Sequence, residues 1–126
     1  MKTIGTVVQG REVYFLRGDQ SVREAARYMT ERRIGAVAVL DGTRLAGIFS
    51  ERDIMGRVVA RRLDPDATMV GDVMTREPMA AEPEELGAAA LGRMERRGIM
   101  AMPVIDGGKR VVGVVHLHDL MRAGAV

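Results

Sequence analysis

Cysteine is absent from the 126 residues, which excludes disulfide cross-links, thiol catalysis and every thiolate metal site. Tryptophan is absent too, and Tyr and Phe number two each, so the stacking side chains that single-strand nucleic-acid binders use are missing. No apolar run approaches the roughly 20 residues of a membrane span. The start, Met1-Lys2-Thr3-Ile4-Gly5, carries no signal-peptide pattern, so the expected compartment is the cytoplasm and no membrane partner is expected. Neither sign of charge dominates: 19 basic residues against 17 acidic give a net charge of +2. The basic residues are dispersed among acids, which argues against a nucleic-acid partner. A complete P-loop, a Rossmann glycine fingerprint and a nucleophile-base-orienter set are all lacking, so no enzymatic activity is expected. What remains is 47% hydrophobic residues and ten methionines, enough for a folded domain whose core has some plasticity.

The sequence repeats itself. Glu31-Arg32-Arg33-Ile34 through Ile54-Met55 can be laid over Glu95-Arg96-Arg97-Gly98 through Leu120-Met121, with Val39 meeting Val104, Asp41-Gly42 meeting Asp106-Gly107, Gly47 meeting Gly113 and Asp53 meeting Asp119. Each copy is about 50 residues, shorter than most domains that fold alone, so the copies are expected to pack on each other. The division read from this is residues 1–62 for the first repeat, 63–70 for a linker containing Pro65, and 71–126 for the second.

Ser21-Val22-Arg23-Glu24 reads as a capping box, followed by Val22, Ala25, Ala26 and Met29 at helical spacing, which predicts a helix over about 21–33. Ala36 to Leu40, the turn signal Asp41-Gly42 and Leu45 to Phe49 predict a hairpin, and Ser50 opens a second helix to about Arg62. Val13 to Leu16 reads as a short preceding strand. The second copy predicts a helix from about Glu84 to Arg97, strands over Ala101–Ile105 and Arg110–Val115, and a helix from about His116 to Met121, with Ala80-Ala81 in the first strand position. The expected fold class is α+β: two β-α-β-β-α repeats with pseudo-two-fold packing.

This tandem order, with Val70-Gly71-Asp72-Val73-Met74-Thr75 between copies and Gly47-Ile48-Phe49-Ser50-Glu51-Arg52-Asp53 closing the first, resembles the CBS domain pair, named for cystathionine β-synthase. The arrangement is similar to small prokaryotic proteins made of one pair alone. The resemblance implies a cleft between the copies that takes an adenosine-containing molecule (AMP, ADP, ATP, NAD(H) or S-adenosylmethionine, with AMP or NAD(H) favoured), no required cofactor, a homodimer, an unidentified protein partner, and a role in sensing energy or stress. It also implies that adenine lies against strand edges near Tyr14 and Ala36 to Ala38. The first copy has Thr6-Val7-Val8-Gln9-Gly10 where the family's Val-x-x-Val-Met-Thr lead-in is expected. Gly35-Ala36 and Met100-Ala101 stand where family members that clamp several phosphates often carry basic residues, which counts against a polyphosphate.

At the end of that closing motif, Asp53 suits a vicinal diol because a carboxylate is an acceptor only; Ser50 and Arg52 suit ribose and phosphate. Ser50-x-x-Asp53 is equally a capping box that needs no ligand. In the second copy His116 replaces the serine while Asp119 stays, so the site residues there are His116, His118 and Asp119. His116-Leu117-His118-Asp119 makes a poor metal site, because positions two apart on a helix face different directions. Met102 and Pro103 are either core or a wall against adenine, and Pro103 implies an edge strand or a cleft rim. Without a ligand, the alternative function is a dimeric interaction scaffold.

Overall fold

The computed structural model describes residues 2–124. Met1, Ala125 and Val126, at the outer ends of the start stretch and of the second repeat, lie outside the described residues. The Thr3 hydroxyl accepts from the Thr6 N–H and starts helix α1 (Ile4–Val8). Strand β1 (Phe15–Arg17) begins two residues later than the pattern predicts. The Ser21–Glu24 capping box is formed and opens α2 (Val22–Arg32), which buries Val22, Ala25 and Met29. Next come β2 (Ala36–Asp41) and β3 (Arg44–Ser50), joined across Gly42, whose φ of +63° suits glycine. Ser50 caps α3 (Glu51–Asp53), and the helix continues as a wider π-helical stretch, Ile54–Val59. Short α4 (Val70–Val73) and β4 (Thr75–Arg76) complete this part of the chain. The remaining elements are α5 (Gly87–Arg97), β5 (Ala101–Ile105), β6 (Val111–His116) and α6 (Leu117–Arg122).

Two compact units result. One is Tyr14–Pro78; the other joins the chain up to Val13 with the chain from Met79 onward. In the first, the sheet order is β1-β2-β3-β4, with β1 parallel to β2 and the other pairs antiparallel. In the second, β5 and β6 pair antiparallel, and Ala81 supplies a single parallel bridge to Val104, so the expected first strand is reduced to one residue. Leu16, Val37, Val39, Phe49 and Val58 centre one core; Ile4, Met94, Met102, Val104 and Leu120 centre the other.

The lead-in to each repeat is built into the unit that holds the other repeat. Val70 N–H donates to Gln20 O and Gly71 N–H to Gly18 O; Ile4 N–H donates to Glu85 O and Gly5 N–H to Pro83 O. Ile4-Gly5-Thr6-Val7-Val8 is therefore the structural counterpart of Val70-Gly71-Asp72-Val73-Met74. The first copy has its lead-in after all, a few residues earlier than the stretch beginning at Thr6. Residues 63–70 are similarly docked: Pro65 O and Thr68 O accept from Arg23 N–H and Val22 N–H, two donors that helix α2 cannot satisfy internally. Helix α5 starts later than Glu84 because the backbone of 83–87 is engaged by the lead-in strand, including Gly87 N–H to Lys2 O.

Candidate functional site

Both candidate acids sit where a strand turns into a short helix. At the end of β3 the first helical N–H, of Glu51, donates to Gly35 O; at the end of β6 the matching N–H, of Leu117, donates to Met100 O. These bonds set Asp53 and Asp119 at the third position of their helices, each reaching back to the strand's last residue.

Asp53 is buried, at 6% exposure. Its Oδ2 accepts from the Ser50 N–H at 2.9 Å and from the Ser50 hydroxyl at 3.2 Å, and Oδ1 accepts from the Thr75 hydroxyl at 3.1 Å. The Ser50 hydroxyl in turn accepts from Asp53 N–H. Arg57 stands 3.8 Å away but donates to the Val73 and Met74 carbonyls at 3.2 and 2.7 Å. Both carboxylate oxygens are thus engaged from within the unit. The capping reading of Ser50-x-x-Asp53 is realised in full.

Asp119 is held differently. Its Oδ2 accepts from the His116 N–H at 2.9 Å and pairs with Arg11 Nη1 at 2.9 Å. Among the described residues nothing donates to Oδ1. Burial pushes the Asp119 carboxyl up, but the hydrogen bonds from Arg11 and the His116 backbone, with the Arg11 charge, outweigh it and hold the carboxyl below its ordinary value. An ionised acceptor with one free oxygen, beside a half-exposed guanidinium, can take a hydroxyl and an anionic oxygen together.

The other predicted residues divide. Tyr14 packs on the first core, edge-on to Tyr28 at 6.1 Å between ring centres, with the Arg32 guanidinium 3.7 Å from the centre of the Tyr28 ring. Ala36 pairs with Ser50 and is buried. Ala38 lies between Phe15 of β1 and Ile48 of β3, so the strand edge expected there is not free: β2 is an inner strand. A Cβ on Gly35 would stand 3.2 Å from the Glu51 carboxylate, so this corner faces an acid. Arg52 and His118 are exposed. Met102 is fully buried in the second core and forms no wall of an open site. Pro103 is also buried rather than at a rim; its carbonyl accepts from Ala81 N–H, so its missing N–H falls on the side where the neighbouring segment pairs at one residue only. Among the described residues no group of three or more His, Asp or Glu side chains could hold a metal, and no helix is long and apolar enough to cross a membrane.

Three partners in these junctions were not anticipated: Thr75, Arg57 and Arg11. Arg57 follows Asp53 at i+4, a spacing that could have found it; Thr75 lies in a segment whose similarity assigns it to the second repeat and Arg11 is far from Asp119 in sequence, so no local pattern joins those two to their acids.

Two stretches, residues 6–60 and 70–126, match the family model of the CBS domain. The chain belongs to the CBS domain family. It holds two tandem CBS repeats, and solved CBS structures share the fold. A protein with CBS domains from Burkholderia ambifaria superposes with a TM-score of 0.92 at 28% identity, covering 98% of this chain and 93% of that one. A CBS domain protein from Pyrobaculum aerophilum, solved in complex with AMP, gives a TM-score of 0.84 at 25% identity, covering 93% and 88%. In sequence the CBS pair is 37% identical over 118 residues to arabinose 5-phosphate isomerase KdsD of Yersinia pestis, covering 93% of this chain and 35% of the isomerase. The chain thus spans about a third of the length of that relative.

Proposed function

We propose that this CBS pair is a regulatory module that binds an adenosine-containing ligand, with AMP or NAD(H) favoured, and performs no chemistry on it. The observation that carries the reading is the carboxylate of Asp119, charged, fixed in place by His116 and Arg11, and left with one oxygen to accept from a ribose hydroxyl. The AMP complex of the Pyrobaculum relative supports the ligand class. In this reading Asp119 is the primary contact, with His116 and His118 beside it. Ser50, Arg52 and Asp53, with Tyr14, Gly35, Ala36 and Ala38, form a second position that opens only if Asp53 exchanges the Thr75 hydroxyl for one from the ligand. A homodimer and a protein partner that reads the bound state belong to the same reading, as does a cytoplasmic location.

The test is thermal unfolding of the full chain with AMP, ADP, ATP, NADH and S-adenosylmethionine. A ligand at 100 times its Kd stabilises by about 2.7 kcal/mol. We expect a shift with AMP or NADH that Asp119→Asn largely removes. The alternative, a ligand-free dimeric scaffold, is favoured by the closed Ser50–Asp53 box; absence of any shift across the panel establishes it over the sensor.

A further inference from the structure

We propose that Arg11 is the phosphate-selecting residue of the Asp119 site, so that this site takes a nucleoside 5′-monophosphate in preference to the same nucleoside without phosphate. The assignment rests on the adenosine-binding reading above. Arg11 Nη1 lies 2.9 Å from Asp119 Oδ2, and the two side chains differ in exposure, 47% for Arg11 against 13% for Asp119. The buried end of the pair is the acid; the guanidinium extends outward from it. A guanidinium carries five N–H donors in a planar fork suited to phosphate oxygens, and the bond to Asp119 occupies one nitrogen. The same pair leaves Asp119 Oδ1 as an acceptor. Acceptor and multiple donor thus stand a few ångströms apart, an arrangement that fits a molecule carrying hydroxyls and an anion at similar separation. A nucleoside 5′-phosphate is such a molecule, and adenosine offers only the hydroxyl half. The ion pair also holds the arginine in place before a ligand arrives, which reduces the ordering cost of binding.

The first junction shows why this role is specific to Arg11. Arg57 has the corresponding place beside Asp53, yet its Nη1 is committed to the Val73 and Met74 carbonyls, at the end of α4, and the carboxylate is closed by hydroxyls. It stabilises the fold. Arg11 has no such carbonyl partners among the described residues.

The experiment is calorimetric titration of the full chain with AMP and with adenosine, on wild type, Arg11→Gln and Arg11→Lys, with circular dichroism to verify the fold of each. Wild type should bind AMP at least about tenfold more tightly than adenosine, the size expected for one charge-assisted hydrogen-bonded contact. Because Arg11 also helps to fix Asp119, Arg11→Gln should weaken both ligands, but AMP far more, so that AMP falls to within about twofold of adenosine, and Arg11→Lys should recover part of the preference. Equal affinity of wild type for the two ligands, or an equal loss of both in Arg11→Gln, overturns the assignment while leaving adenosine binding intact. If neither ligand binds wild type, the adenosine reading itself fails and takes the assignment with it.

Discussion

The two strand-to-helix junctions place an aspartate at the same position and close it with different partners. At Asp53 two neutral hydroxyls and a backbone N–H fill both oxygens. At Asp119 the hydroxyl of the capping residue is replaced by an imidazole, and an arginine from beyond α1 takes its place at one oxygen. The first junction is built as a closed helix cap. The second keeps the reciprocal box between His116 and Asp119 and adds a charge from Arg11, and its acid is the more exposed of the two. The geometry of the acid is the same in the two copies while its surroundings differ, and the proposed division is that one carboxylate serves the fold and the other the ligand.

The largest expected contrast is in stability. Asp53→Ala removes the acceptor of two hydroxyls and an N–H in a buried setting and should cost about 3 kcal/mol. Asp119→Ala removes a cap bond and a pair whose arginine is half exposed and should cost about 1 kcal/mol. Urea denaturation of both variants checks the order; a larger loss in Asp119→Ala breaks the comparison.

A second contrast lies at the repeat glycines. A Cβ on Gly47 would come within 2.5 Å of Thr75 O and 2.9 Å of Met74 Sδ, and the backbone of β4 cannot withdraw without losing its pairing to β3. A Cβ on Gly113 meets only the Val8 side chain, at 3.3 Å. Gly47→Ala should therefore destabilise by about 2 kcal/mol, and Gly113→Ala by under about 1 kcal/mol. Thermal unfolding distinguishes them, and similar losses would show that α1 resists displacement as firmly as β4 does.

The smallest effect is on pH dependence. Because the Asp119 carboxyl is held below its ordinary value in the folded chain, its pairing stabilises above the unfolded value of about 3.9 and is lost as pH falls through the lower, folded value. In Arg11→Gln the charge and one hydrogen bond are gone, while the His116 N–H and the imidazole beside it remain. The carboxyl should move up toward its ordinary value, the variant should show less loss of stability below pH of about 4, and an NMR titration of Asp119 should report the rise. An unmoved titration would mean that His116 alone sets the value.

Much of this architecture is legible in local pattern. Ser21-x-x-Glu24 forms its box, Asp41-Gly42 turns the hairpin, and Ala101–Ile105 is a strand with the expected bounds. These rest on contacts within a few residues, which spacing and propensity report directly. Of the strand edge expected near Ala36 to Ala38, the part at Ala38 is covered, because strand order is a long-range property: β1 pairs with β2 from Ala38 onward only once the chain has closed a parallel crossover. Met102 and Pro103 were ambiguous for a related reason, since an apolar strand residue looks the same whether it faces a core or a groove.

The amino-acid sequence alone determined the duplication, the helix caps and the placing of an acid at each strand-to-helix turn, because each depends on residues within one turn or one hairpin of each other. Only the tertiary structure decided which acid stays open. That choice depends on Thr75 reaching Asp53 and Arg11 reaching Asp119, each contact made inside one unit between residues far apart in the chain, and such side chains meet only after backbone hydrogen bonding and core packing have set their positions.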